Sequence, residues 1–136
     1  MGIVYADITL KNVKDIIMAE EGLIQAEEIR QARVEAMVDT GAGTLVINEE
    51  LSRQLGLEIK GERQATLAND ATEMVKIAGL VEVHWNDRSM ACQPVVVPAG
   101  GVLLGAIPLE DMDLMVDPVR KALTGAHGPE IVTMMK

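Results

Sequence analysis

Apolar and polar residues alternate over residues 3–10, the two-residue period of a strand with one buried face. Lys11-Asn12 interrupts the alternation, and residues 13–18 read as a second short strand. Residues 19–31 are ambiguous: Ala, Glu and Gln favour helix, Gly22 opposes it, and a loop fits equally. Alternation resumes over residues 33–38, with Val34, Ala36 and Val38 on one face. That strand runs into the small-residue turn Asp39-Thr40-Gly41-Ala42-Gly43, after which Leu45-Val46-Ile47 is extended again. Asn48 is a candidate N-cap for a helix over residues 49–55, with acids in its first turn and Gly56 as its stop.

Residues 63–67 and 72–77 flank Ala68-Asn69-Asp70-Ala71, whose centre tolerates positive backbone angles, so a hairpin is expected. Residues 80–85 alternate and turn at Asn86-Asp87 into a strand over 89–97. Pro98-Ala99-Gly100-Gly101 is a loop, and Val102-Leu103-Leu104-Gly105 a short buried strand ending in glycine. A brief helix over 108–112 and a strand over 114–116, closed by Asp117-Pro118, follow. From Gly125 the chain has loop character, with Ile131-Val132 able to supply an edge or interface strand. Short strands between frequent turns predict an all-β barrel or sandwich with one or two small helices.

Composition refines this picture. A chain of 136 residues is the size of one domain. With no Phe, and with Tyr5 and Trp85 as its aromatics, it must build an aliphatic core that includes nine Met. The net charge of -9, without a basic cluster, argues against nucleic-acid binding. The lone Cys92 cannot form an intramolecular disulfide and suits a reducing, cytoplasmic setting, as a small apolar residue in a strand. The first residues lack a basic start followed by a long apolar run, so no secretory signal is expected. No run reaches the roughly 18 apolar residues of a membrane span.

Asp39 stands where an apolar strand ends in a tight turn, and Gly41 and Gly43 permit close backbone approach. The tripeptide alone is weak, since Asp and Gly are common in loops after strands. Its context is more specific: an apolar strand on either side, a capped helix, a turn-tipped hairpin, then Leu103-Leu104-Gly105-Ala106 before a short helix.

This order resembles the retroviral-type (retropepsin-like) aspartic proteases, and most nearly their small bacterial members. The resemblance rests on Val38-Asp39-Thr40-Gly41-Ala42, on Leu103-Leu104-Gly105 and on the spacing between them. The run from Leu104 to Glu110 and the segment from Asp113 to Pro118 add to it. It implies an all-β, closed acid-protease barrel with one lobe per chain, residues 1–124 forming the protease domain and 125–136 a C-terminal tail. Asp39 would be the catalytic carboxylate, and Thr40 would lock two active-site loops together across a subunit interface. Gly41 would let the substrate backbone lie close, and Ala42 would complete the loop. Leu67, Ala68, Asn69, Asp70 and Ala71 would tip a flap over bound peptide, and Leu103, Leu104 and Gly105 would pass behind the catalytic loop. Neither metal nor cofactor is required.

The chemistry needs two carboxylates about 3 Å apart that share a proton and titrate as a pair. Asp70, Asp87, Asp111, Asp113 and Asp117 all lack the Thr-Gly or Ser-Gly that should follow a second catalytic Asp. The second carboxylate must then come from another copy, which predicts a two-fold homodimer acting on peptide or protein substrates. A dimeric peptide-binding module with the same fold but no efficient cleavage is the alternative, and the glycine-free flap tip keeps it open. His84 and His127 lack metal-ligand spacing, Ser52 and Ser89 lack a nucleophile elbow, and Gly100-Gly101 lacks the rest of a phosphate loop.

Overall fold

The computed structural model describes residues 3–66 and 70–127. Strand β1 (Val4–Asn12) keeps the expected alternation, burying Val4, Ala6, Ile8 and Leu10. It continues past Leu10, so that the next inward position is the buried Asn12. The Asn12 Nδ2 donates to the Leu55 carbonyl at 2.8 Å, and its Oδ1 accepts from the Asp15 amide at 3.0 Å.

That second bond caps helix α1 (Val13–Glu20), so residues 13–18, expected as a strand, are helical. The reason is local: Val13, Ile16 and Ile17 also fit a helical period, and a capping Asn decides between the two. The ambiguous stretch after α1 is a loop with a 3₁₀ turn at Ala26–Glu28. It returns Arg30 to α1, where its Nε and Nη2 donate to the two Asp15 carboxylate oxygens at 2.9 and 3.0 Å. The Arg30 amide also donates to Asp15 Oδ2, at 2.9 Å.

Strand β2 (Gln31–Val38) pairs antiparallel with β1, whose other edge takes β6 (Val81–Trp85), followed by β7 (Arg88–Cys92). Strand β3 (Leu45–Asn48) leads into helix α2 (Glu49–Gln54), capped as expected by Asn48 Oδ1, which accepts from the Leu51 amide at 2.8 Å. The helix stops at Gly56, φ +65°, where the Gly56 and Leu57 amides return to the Arg53 and Ser52 carbonyls. The expected hairpin is β4 (Ile59–Thr66) with β5 (Thr72–Ala78).

The single strand expected over 89–97 is two strands, β7 and β8 (Val95–Val97), broken at Gln93-Pro94. Proline has no amide for the ladder, so the chain leaves β6 there. Strand β8 then pairs parallel with β3 and antiparallel with β5. Strand β9 (Val102–Leu104), helix α3 (Ala106–Asp111) and a hairpin of β10 (Leu114–Asp117) with β11 (Ala122–Gly125) follow. Strand β11 has only Leu123 buried, too short an apolar signal to announce it. Ile131-Val132 lies outside the described residues.

Among the described residues the main sheet has nine strands in the order β4-β5-β8-β3-β9-β2-β1-β6-β7, and β10-β11 forms a second sheet. The fold is all-β, with the large sheet curled as a half-barrel and, among the described residues, with three short helices where one or two were expected. Its core is aliphatic, as the missing Phe requires: Ile8, Leu10, Leu45, Ile47, Val83 and Leu104 are essentially inaccessible. No helix among the described residues is long and apolar enough to cross a membrane.

The side-chain hydrogen bond from Arg30 holds the Asp15 carboxyl below its ordinary 3.8, outweighing the opposing effect of burial. A depressed carboxyl pKa stabilises the fold above its unfolded value and loses that contribution as pH falls through the folded value. Because the Arg30 side chain is half exposed, Asp15→Asn should cost about 1–2 kcal/mol at pH 7. The gap between the urea midpoints of wild type and variant should narrow progressively below about pH 4.

Candidate active site

Asp39 directly follows β2, and its position is set by backbone rather than side-chain contacts. Strand β9 lies between the two strands that flank the turn, parallel to β2 (Met37 opposite Leu103, Val38 opposite Leu104) and antiparallel to β3 (Leu45 opposite Leu104). The ladder extends one step further, with the Asp39 amide donating to the Leu104 carbonyl at 3.0 Å. The carboxylate then folds over its own turn, Oδ1 accepting from the Gly41 amide at 2.9 Å while the Ala42 amide donates to the Asp39 carbonyl at 3.1 Å. Asp39 is half-buried, whereas Thr40, Gly41 and Gly43 are exposed.

The far side of the turn rests on the start of α3. The Ala106 amide donates to the Ala42 carbonyl at 2.8 Å and the Ile107 amide to the Gly43 carbonyl at 3.2 Å. Gly105 makes this approach possible: a Cβ there would strike the Thr44 carbonyl oxygen and lie 2.6 Å from the Ala42 carbonyl oxygen. The structure therefore brings Asp39, Ala42, Leu103, Leu104 and Gly105 into one unit. Ala106 and Ile107, although part of the run that carries the resemblance, and Thr44 were given no part in the site from sequence, because they contribute main-chain groups that no side-chain pattern announces.

Of the expected flap residues, Leu67, Ala68 and Asn69 lie outside the described residues. Asp70 and Ala71 follow, exposed, with Asp70 at φ +65°, and Thr66 pairs with Thr72 beneath them. Most of β4 is exposed, and in β5 burial begins only at Val75. The hairpin is an arm that leaves the body.

The two histidines are each engaged with a carboxylate. His84 contacts Glu82 at 2.5 Å, and His127 contacts Asp113 at 2.6 Å. Arg88, buried, donates to the Met112 and Asp113 carbonyls and anchors the connection between α3 and β10. Burial, helped by the negative charge of Asp111, pushes the Cys92 thiol up to about 11.

The Asp39 carboxylate thus stands at a strand-ending Asp-Thr-Gly-Ala turn, backed by a strand threaded between the turn's two flanks. The family model for the gag-polyprotein putative aspartyl protease matches residues 26–117, and the chain belongs to that family. The fold is retropepsin-like. The crystal structure of the retroviral protease-like domain of Ddi1 from Leishmania major aligns with 91% of this chain and 88% of its own, at 16% identity and a TM-score of 0.54. The solution structure of the simian foamy virus (mac) protease aligns with 57% of this chain and 81% of its own, at 12% identity and a TM-score of 0.44. No curated protein matches the chain by sequence.

Gly105→Ala places a methyl group against main chain that cannot swing aside, and should lower stability by about 1–3 kcal/mol in denaturant melts. Cys92 should react with iodoacetamide at pH 8 at least about tenfold more slowly in the native protein than in urea, since only the thiolate is nucleophilic.

Proposed function

We propose that the protein is an aspartic endopeptidase that works as a two-fold homodimer, each copy contributing Asp39. The observation that carries this reading is the turn itself: its main chain is held from behind by β9 and α3, while Thr40 and Gly41 remain exposed on the open side. A second copy related by a two-fold axis would meet that open side with the same residues, because a two-fold interface is self-complementary.

In the dimer the two Asp39 carboxylates share one proton, since charges about 3 Å apart do not both ionise readily. The ionised member draws a proton from a bound water, and the protonated member hydrogen-bonds the scissile carbonyl. Water adds to the carbonyl carbon, and the amine leaves after taking a proton from the dyad, with no acyl-enzyme. Thr40 ties the two turns together, and Gly41 leaves room for the substrate backbone. The β4-β5 arms, tipped by residues 67–71, close over an extended peptide held as an added strand. Leu103, Leu104 and Gly105 support the turn and do not touch substrate.

Cleavage of a peptide library between pH 4 and 7 tests this, with sedimentation of the same preparation. The expected result is a dimer at micromolar concentration whose activity falls by about 10²–10⁴-fold or more in Asp39→Asn. Equal activity in the two proteins, or a strictly monomeric active enzyme, refutes the shared dyad. A verified wild-type dimer that binds peptides and cleaves none establishes the binding-module reading instead.

A further inference from the structure

A cavity of about 410 Å³ opens on the surface between α1, the turn after α2 and the turn between β5 and β6. Asp39 and Thr40 are not among its lining residues, so it is separate from the proposed active site. Its volume lies in the range of small-molecule sites, about 300–1,000 Å³. Val13, Ile17 and Met18 of α1 form one wall, and Leu57 and Leu80 the other. Ile17 and Leu80 are each 48% exposed, so apolar surface that a ligand could cover stands open to water.

The rim carries charge of one predominant sign. Lys14 and Lys60 both line the cavity, with Glu58 between them. Glu58 takes Lys14 at 3.0 Å but Lys60 only at 3.8 Å, which leaves the Lys60 ammonium loosely engaged at the mouth. Two ammonium groups at one opening stand out in a chain of net charge -9. No aromatic side chain lines the cavity, so nothing there favours a ring by stacking.

We propose that this cavity binds an aliphatic carboxylate, with the hydrocarbon body between α1 and Leu80 and the carboxylate at Lys60. An aliphatic amine of the same length would bring a third positive charge to the rim and is disfavoured. The residues before β4 and after β5 both line the site, and the Gly79 amide donates to the Glu58 carbonyl at 2.8 Å. A seated ligand therefore touches both ends of the β4-β5 arm.

Calorimetric titration of the full chain with decanoate, decanol and decylamine tests the assignment, with circular dichroism confirming that each variant is folded. Decanoate should bind, and decylamine should bind more weakly. Leu80→Asp, a change at an exposed position, should weaken decanoate by at least about tenfold. Lys60→Gln should weaken decanoate by about threefold, the scale of an exposed ion pair, and leave decanol unchanged. Absence of decanoate binding, equal binding of decylamine, or undiminished binding by Leu80→Asp overturns the proposal. So does a fall in self-association in Leu80→Asp, which would make a second copy the occupant.

Discussion

Everything about the candidate site depends on the contact at Gly105. Three pieces of main chain converge there: the end of β9, the turn after Asp39, and the first amides of α3. They meet more closely than any Cβ permits, because the glycine lies against the carbonyls of Ala42 and Thr44. The Ala42 and Gly43 carbonyls thereby find the Ala106 and Ile107 amides, and the turn has no need of a side-chain scaffold. Its outward face, Thr40 and Gly41, stays exposed.

A related economy holds the periphery. Asn12 and Asn48 each end a strand and cap the following helix, and each also spans to a distant carbonyl, of Leu55 and Gly100 respectively. Short helices of this kind are marginal alone and persist through their caps and tertiary contacts. Arg30 joins the system by pairing with Asp15, its guanidinium lying over Gly56, where a side chain would collide with it. The same glycine that stops α2 therefore makes room for the pair that fastens α1.

The contrast between a turn anchored by main-chain hydrogen bonds and an exposed arm fits the proposed endopeptidase, which would hold a carboxylate in place while admitting a long substrate. Val75 and Ile77 bury the root of the β4-β5 hairpin, and beyond them little apolar surface is covered. Segments with few buried contacts open at low free-energy cost. Restraint at Asp39 and freedom at the arm thus arise from how burial is distributed along the chain.

Most of the strands, the capped helix after Asn48, the pairing of β4 with β5 and the turn after Val38 were legible in sequence. Period-two alternation, Asn caps and glycine stops are short-range signals carried by the residues concerned. The same short range explains the errors. Residues 13–18 satisfied two periods at once, Pro94 hid a change of sheet partner inside a continuous apolar run, and β11 buries little of its own. That each chain offers one Asp-Thr-Gly was likewise fixed by sequence alone. Only the tertiary structure decided that β9 would pass between β2 and β3 and that α3 would receive the turn's carbonyls. Those contacts join main-chain groups far apart in sequence, and a backbone amide or carbonyl looks the same in every residue that carries one.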